Sequence, residues 1–144
     1  FTDPYLAGGL VALVKDDNTT IKSADDLKGK KISVQTGTKS VEWLHTHVPE
    51  AQTVEVEKNQ QMFNLVSIGR VDAAVTGKPA AFQYARTRGG VKILPGSLTS
   101  EEYGIAVRKD ETALVGEMNN ALKQLKADGS YQQLVDKWFP NSVK

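Results

Sequence analysis

The sequence predicts an α/β fold, a mostly parallel β-sheet flanked by helices. Three observations carry this expectation. Short runs rich in aliphatic and β-branched residues recur at Leu10–Val14, Lys31–Gln35, Thr53–Glu57 and Val71–Val75. Between them lie stretches whose apolar residues fall at helical spacing. Gly or Pro punctuates most of the junctions. Strands that alternate with helices imply right-handed crossovers, which give parallel strands with helices on the sheet faces.

Each element has its own justification. Leu10–Val14 is a strand, ended by the turn residues Asp16-Asp17-Asn18. Ser23, with Asp26 three residues on, reads as the N-cap of a single helical turn that Gly29 closes. Lys31–Gln35 is a strand with Ile32 and Val34 on one face. Thr36-Gly37-Thr38 then leads into a helix marked by Val41, Leu44 and Val48 and stopped by Pro49. Thr53–Glu57 alternates Val54 and Val56 with polar residues, a strand with one wet face. Asn59 is expected to cap the next helix, striped by Met62, Leu65 and Val66 and ended by Gly69. Val71–Val75 is a buried strand running into a loop, Thr76-Gly77-Lys78-Pro79. Pro79 suits the first turn of the following helix, which carries Phe82, Tyr84 and Ala85 and ends at Gly89-Gly90. Val91–Leu94 and Tyr103–Val107 read as further strands, with a Pro95-Gly96 turn between them. The last third is helical. Leu114, Met118, Ala121, Leu122 and Leu125 form one stripe, Asp128-Gly129 breaks it, and Tyr131, Leu134, Val135 and Trp138 form a second, ended by Pro140.

Composition narrows the function classes. A chain of 144 residues is about one domain on the usual scale of roughly 100–200 residues. The net charge of +1, with Lys and Arg scattered, gives no electrostatic case for nucleic acid or an anionic membrane. The absence of Cys excludes disulfides, thiol catalysis and Cys-based zinc sites. No stretch approaches the roughly 18 apolar residues of a membrane span. His45 and His47 lie two apart on a predicted helix, so they point to different faces and suit a surface better than a metal. Glu101 and Glu102, adjacent on an extended chain, face opposite ways and are not a catalytic pair. No Ser-His-Asp order, phosphate loop or metal motif is present. The chain opens at Phe1-Thr2-Asp3-Pro4 without Met, the expectation for a mature product or a fragment.

Five segments carry a resemblance. "FTDPYLAGGLVALVK", "SADDLKGKKISVQTGTKS", "GRVDAAVTGKPAAFQYA", "EEYGIAVRKD" and "LKADGSYQQLVDKWF" resemble, in order and spacing, the periplasmic solute-binding proteins of polar amino-acid ABC importers, of the glutamine-binding type. The resemblance implies a type II periplasmic-binding-protein fold, two α/β lobes joined by two extended crossings with ligand clamped between. Mapped onto this chain, residues 1–10 would end lobe 1 and make the first crossing. Residues 11–102 would form a complete lobe 2. Residues 103–109 would cross back, and residues 110–144 would be helices of a lobe 1 that is otherwise missing, its carboxylate-binding Arg included. The resemblance further implies an exported, extracytoplasmic protein that binds a small polar solute and works with ABC transporter membrane subunits, with no cofactor. Two rivals share the fold, the ligand-sensing domain of a receptor or histidine kinase and a dehydratase-like enzyme.

Candidate ligand residues follow from both arguments. At Thr36-Gly37-Thr38-Lys39-Ser40 a strand enters a Gly turn and a helix N-terminus, where free N–H groups and the helix dipole favour a carboxylate. The resemblance assigns the Thr38 hydroxyl and the Lys39 N–H to a ligand carboxylate. The alternative is a plain N-cap, with Thr38 closing its own helix. Gln35 matches a position that faces the ligand side chain, or else it is a solvent-facing strand end. Thr76 and Gly77 match ligand-facing positions, but relatives usually carry an Asp for the ligand ammonium where Gly77 stands. Another acid supplies the charge, or the ligand lacks a conventional ammonium, or α-amino acids no longer bind. Lys78 adds positive charge near the cleft or is an exposed Lys at a helix start. Trp43, Phe63, Phe82, Trp138 and Phe139 read as core, and Phe1 and Tyr5 stand where an aromatic lines a cleft. The two C-terminal stripes, without the rest of lobe 1, are expected to face water and to drive a homodimer or remain mobile.

Overall fold

A computed structural model describes residues 1–140. A five-stranded sheet forms its centre, built from β2 (Leu10–Lys15), β3 (Lys31–Gln35), β4 (Gln52–Val56), β5 (Ala73–Gly77) and β6 (Val91–Ile93), after a short β1 (Leu6–Gly8). The spatial order is β4-β3-β5-β2-β6. β3 pairs in parallel with β4 and β5, while β2 is antiparallel to both β5 and β6. Four strands therefore run one way and β2 runs against them. β1 pairs antiparallel with β7 (Glu101–Tyr103) in a separate two-stranded ribbon.

Alternation of side chains splits the core into two layers. Leu10, Ala12, Val14, Ile32, Val34, Ala73 and Val75 line one face, under Leu44 and Val48 of α1 (Lys39–His47) and its following residue. Val11, Leu13 and Ala74 line the other, under Met62, Phe63 and Val66 of α2 (Asn59–Ser67) and Ala81 and Tyr84 of α3 (Lys78–Arg88). β2 is buried on both faces from Leu10 to Val14, so it reads as an unbroken apolar run. Ser33 sits within this apolar environment with no exposure, and its hydroxyl donates to the Met62 carbonyl at 2.9 Å. That bond meets the requirement that a buried hydroxyl be paired.

Several expected boundaries move. Val71–Val75 is replaced by Ala73–Gly77, so Thr76 and Gly77 are strand residues opposite Val11 and Leu10 and no loop precedes α3. Pro79 does lie in the first turn of α3. Tyr103–Val107 is replaced by Glu101–Tyr103, because Gly8 to Leu6 of β1 supply the pairing partners there. The crossing still continues: Thr2 N–H donates to the Ile105 carbonyl, and Ile105 N–H to the Thr2 hydroxyl. Lys58, not Asn59, precedes α2, and the Gln61 side chain accepts from the Lys58 N–H at 3.1 Å. The Ser23–Asp26 motif holds, with Asp26 Oδ2 accepting from the Ser23 N–H at 3.3 Å.

The C-terminal helices α4 (Thr112–Ala127) and α5 (Ser130–Trp138) follow the two stripes and bury no residue fully. Leu114, Leu125, Leu134 and Trp138 remain exposed, Leu134 at 52%. Contrary to the core reading, Trp138 is exposed and Phe82 and Phe139 are only half-buried; Phe63 is core, and Trp43, half-buried, packs against the α1 layer of the core. The helices do reach α3. Phe139 packs edge-on against Phe82 at 5.4 Å, and the Arg86 guanidinium lies 4.5 Å from the Trp138 ring centre.

Gly9 joins the ribbon to β2. Its φ of +129° lies outside the range L side chains adopt, and a Cβ there would collide with the Thr99 carbonyl oxygen. Gly9→Ala should therefore lower the unfolding free energy by about 1–3 kcal/mol in urea denaturation. Gly116→Ala is the control, since a Cβ in the open interior of α4 meets nothing and should be neutral or stabilising by about 0.5–1 kcal/mol.

Candidate ligand-binding site

The sheet topology defines a crevice. After β3 the chain passes through α1 to β4 on one side, and after β5 it passes through α3 to β6 on the other. α1 and α3 lie on opposite faces. The ends of β3 and β5 thus form a topological switch point, where open α/β sheets take ligands. The parallel pairing of Ile32 with Ala73 and Ser33 with Ala74 ends there, two residues before β3 stops.

The candidate residues cluster at this edge. Thr36 N–H is spent on the Val56 carbonyl at 2.8 Å, and Thr36, Gly37, Thr38 and Lys39 are all exposed. Gly37 has a φ of +77°, which turns the chain from strand into helix. Thr38 stands at the N-cap position but makes no side-chain cap; its hydroxyl donates to the Gln35 carbonyl at 2.7 Å. Its own carbonyl accepts from the Val41 N–H at 3.2 Å, which leaves the Lys39 and Ser40 N–H groups without a bond to Thr38. Gln35 is half-buried, and its Nε2 donates to the Glu57 carbonyl at 3.0 Å, so its amide is anchored to the end of β4. Thr76 is buried at 8% exposure in mid-sheet. Gly77, with φ of −66°, needs no glycine for its backbone. A Cβ there would stand 3.9 Å from the Tyr103 hydroxyl oxygen, an ordinary contact, so a side chain would fit.

Lys78 turns toward the ribbon. Its backbone N–H donates to the Gly9 carbonyl at 3.0 Å, its Nζ lies 3.5 Å from the Ala7 carbonyl, and the Phe139 ring centre is 5.5 Å away. Partial burial pulls its pKa below the usual lysine value. His45 and His47 are exposed, and among the described residues no cluster of metal-ligating side chains is found. Phe1 is 84% exposed and Tyr5 borders an apolar groove with α3, α4 and α5.

Two residues at the edge were not chosen from the sequence. Glu101 Oε1 lies 3.4 Å from Lys39 Nζ, so β7 reaches the start of α1. The Tyr103 ring lies over Gly8, where a Cβ would come within 2.5 Å of Cε2. Burial, then the charge of Glu101, pushes the Tyr103 phenol above its usual 10.0, so it stays an O–H donor at neutral pH. A cleft of about 1110 Å³ lies against α3, β6 and the 94–100 segment; it shares Lys78 and Glu101 with this edge but none of residues 35–39. The start of α1 lies at the switch point and outside that cleft, which instead receives Lys78, the first residue of α3.

Comparison with known proteins agrees with this architecture. The family of bacterial extracellular solute-binding proteins, family 3, matches residues 1–141. The chain belongs to that family. It is 35% identical to the ABC transporter arginine-binding protein 1 of Escherichia coli K12, over 97% of this chain and 59% of that protein. It is 36% identical to the L-cystine-binding protein TcyJ of the same strain, over 99% of this chain and 54% of that protein. The structure of an ancestral cationic amino acid solute-binding protein superposes with a TM-score of 0.86 at 42% identity, covering 96% of this chain and 61% of that one. The chain thus spans between half and two thirds of the length of these relatives.

The Tyr103 shift has a defined sign. The folded chain holds the phenolic proton more tightly than the unfolded chain does, so this stabilisation is complete below pH 10 and is lost as pH rises through the folded-state value. Tyr103→Phe, with no proton to lose, should give a shallower loss of stability than the parent as pH rises above 10.0, read by urea unfolding at each pH.

Proposed function

We propose that this chain carries one side of the ligand site of an amino-acid-binding component of an ABC importer. The observation that carries the reading is the crevice at the ends of β3 and β5, with the start of α1 exposed to it and Thr38 not capping it. A helix N-terminus in that position suits the α-carboxylate of an amino acid. The backbone N–H groups of Thr38 and Lys39 are the carboxylate ligands, since the Thr38 hydroxyl expected there spends its proton on the Gln35 carbonyl; Thr36 and Gly37 shape the turn, Gln35 faces the ligand side chain, and Thr76 and Gly77 form the floor. The names of the relatives, arginine-binding and cystine-binding, support a polar amino acid.

The proposal extends to the domains. The sheet with α1, α2 and α3 is the lobe proposed for residues 11–102, and the β1–β7 ribbon is the pair of crossings. Its pairing at Glu101 supports a second crossing that starts two residues before the expected Tyr103. Residues 110–140 pack as a helical pair beyond it. Hinge closure would complete the site against a second lobe, and the ABC transporter membrane subunits would be the partners. The role is binding without a catalytic step, in an extracytoplasmic compartment; within the described residues no helix is long and apolar enough to cross a membrane.

Sulfate tests the anion site. On titration into the ¹⁵N-labelled chain, the amides of Thr38, Lys39 and Ser40 should shift first and saturate together. Shifts confined to other parts of the chain would remove the assignment.

Self-association follows from the exposed stripes. Full burial of one large apolar side chain stabilises by roughly 1.5–3 kcal/mol, and Leu114, Leu125, Leu134 and Trp138 all stand open. We expect sedimentation coefficients that rise with concentration, and a return to monomer in Leu134→Glu. A concentration-independent monomer, with amides from Leu114 to Trp138 strongly protected, would reject this.

A further inference from the structure

We infer that the cleft between α3, β6 and the 94–100 segment is a second binding site, for a small carboxylate with an aromatic body, and that the Lys78 ammonium holds the carboxylate. The site stands apart from the switch point, since none of residues 35–39 lines this cleft. Charge is its first support. Lys78, Arg86, Lys92 and Lys137 line the cleft against Glu101 and Glu102. Among the described residues none of these cations forms an ion pair, whereas Glu101 is already paired with Lys39 at 3.4 Å. Lys78 is half-buried and the other three cations are exposed. Among the described residues the Lys78 Nζ reaches the Ala7 carbonyl at 3.5 Å, the limit of a hydrogen bond, and the Phe139 ring centre at 5.5 Å. An ammonium taken partly out of water without a carboxylate carries an uncompensated desolvation cost, which an anion offsets. The helix end plays no part, because the Lys78 N–H is spent on the Gly9 carbonyl at 3.0 Å.

Shape is the second support. Lys78, Phe82 and Arg86 recur every fourth residue along α3 and so share one face. The Phe82 ring is held edge-on by Phe139 at 5.4 Å. Arg86 is engaged by Trp138, with its guanidinium 4.5 Å from the ring centre and its Nη1 donating to the Trp138 carbonyl at 3.4 Å. Lys78 is left as the available charge, with an aromatic ring one helical turn along from it. Half-buried Ile93 and Leu98 add apolar wall. That wall is fixed to β2: the Leu94 N–H donates to the Ala12 carbonyl at 2.9 Å, the Leu98 N–H to the Leu10 carbonyl at 2.7 Å, and the Leu10 N–H to the Thr99 hydroxyl at 2.9 Å. A preformed cleft of about 1110 Å³, apolar with a few placed polar groups, has the character of a small-molecule site. One available charge beside apolar walls fits a ring-bearing monoanion rather than a multiply charged phosphate.

Phenylacetate, phenylacetamide and benzylammonium share a ring and differ in charge. Each is titrated into the ¹⁵N-labelled chain and followed at the amides of Lys78, Phe82, Ile93 and Leu98. Phenylacetate should move these amides together and bind about fivefold tighter than phenylacetamide, with benzylammonium the weakest. Lys78→Gln should erase the difference between phenylacetate and phenylacetamide, while Lys78→Arg keeps it. Amides outside the cleft, unmoved in both variants, report an intact fold. Equal affinity for phenylacetate and phenylacetamide, or a preference that survives Lys78→Gln, overturns the role of Lys78 and with it the site. Phenylacetate shifts confined to Thr38, Lys39 and Ser40 also overturn the site, and leave the switch-point reading standing.

Discussion

One strand that runs against its neighbours determines where everything else meets. β2 is buried on both faces and lies between β5 and β6, antiparallel to each. Its first residue therefore lies at the edge where the parallel strands β3 and β5 end. The chain enters β2 through Gly9 directly from the ribbon, so the ribbon has to stand over the same edge as the crevice. A β2 parallel to the rest would carry the ribbon to the far end of the sheet, away from Thr36–Lys39. Burial holds the register, because a one-residue slip would turn Leu10, Ala12 and Val14 away from the α1 layer and Val11 and Leu13 away from α2 and α3.

That meeting gives the edge its electrostatics. The start of α1 brings partial positive charge and the exposed Lys39, and β7 brings Glu101 against it. Tyr103, two residues on from Glu101 and so on the same face of β7, packs against Gly8 and approaches Gly77. Small residues are needed at Gly8 for the ring to lie flat on the backbone. Gly77 differs, since its backbone angle and its surroundings admit a side chain. Its glycine leaves room where a Cβ would meet only the Tyr103 hydroxyl and Pro79 at ordinary contact distance.

Much of this was legible in the sequence because its signals were local. Periodicity located β2, β3, β4 and both C-terminal helices, and Gly37, Pro49 and Gly69 marked the turns they were expected to mark. Where strand boundaries differ from the sequence expectation, the deciding partner is distant in sequence. β5 extends through Gly77 because Leu10 and Val11 pair with its last residues. β7 is placed at Glu101 because Gly8 to Leu6 lie opposite. Thr38 has the sequence of a cap, but the nearby Gln35 carbonyl takes its hydroxyl. Glu101 was set aside as half of an adjacent pair. Nothing local links it to Lys39, 62 residues away; only the return of the chain through the ribbon does.

The C-terminal helices differ in kind from the sheet. The sheet is held by apolar burial in two layers, whereas α4 and α5 contain no buried residue and rest on α3 through an aromatic edge contact and a cation–π contact. Contacts of those types contribute about 0.5–1.5 kcal/mol each, well below what a covered stripe of leucines would give. Yet α4 is tied to the ribbon strand. The Asp3 N–H donates to Asn119 Oδ1 at 2.8 Å, and Lys126 Nζ reaches the Pro4 carbonyl at 3.3 Å. Residues 3 and 4 lead within a few positions into β1, which pairs with Glu101. The weakly held helices and the edge of the sheet are thus joined through the ribbon.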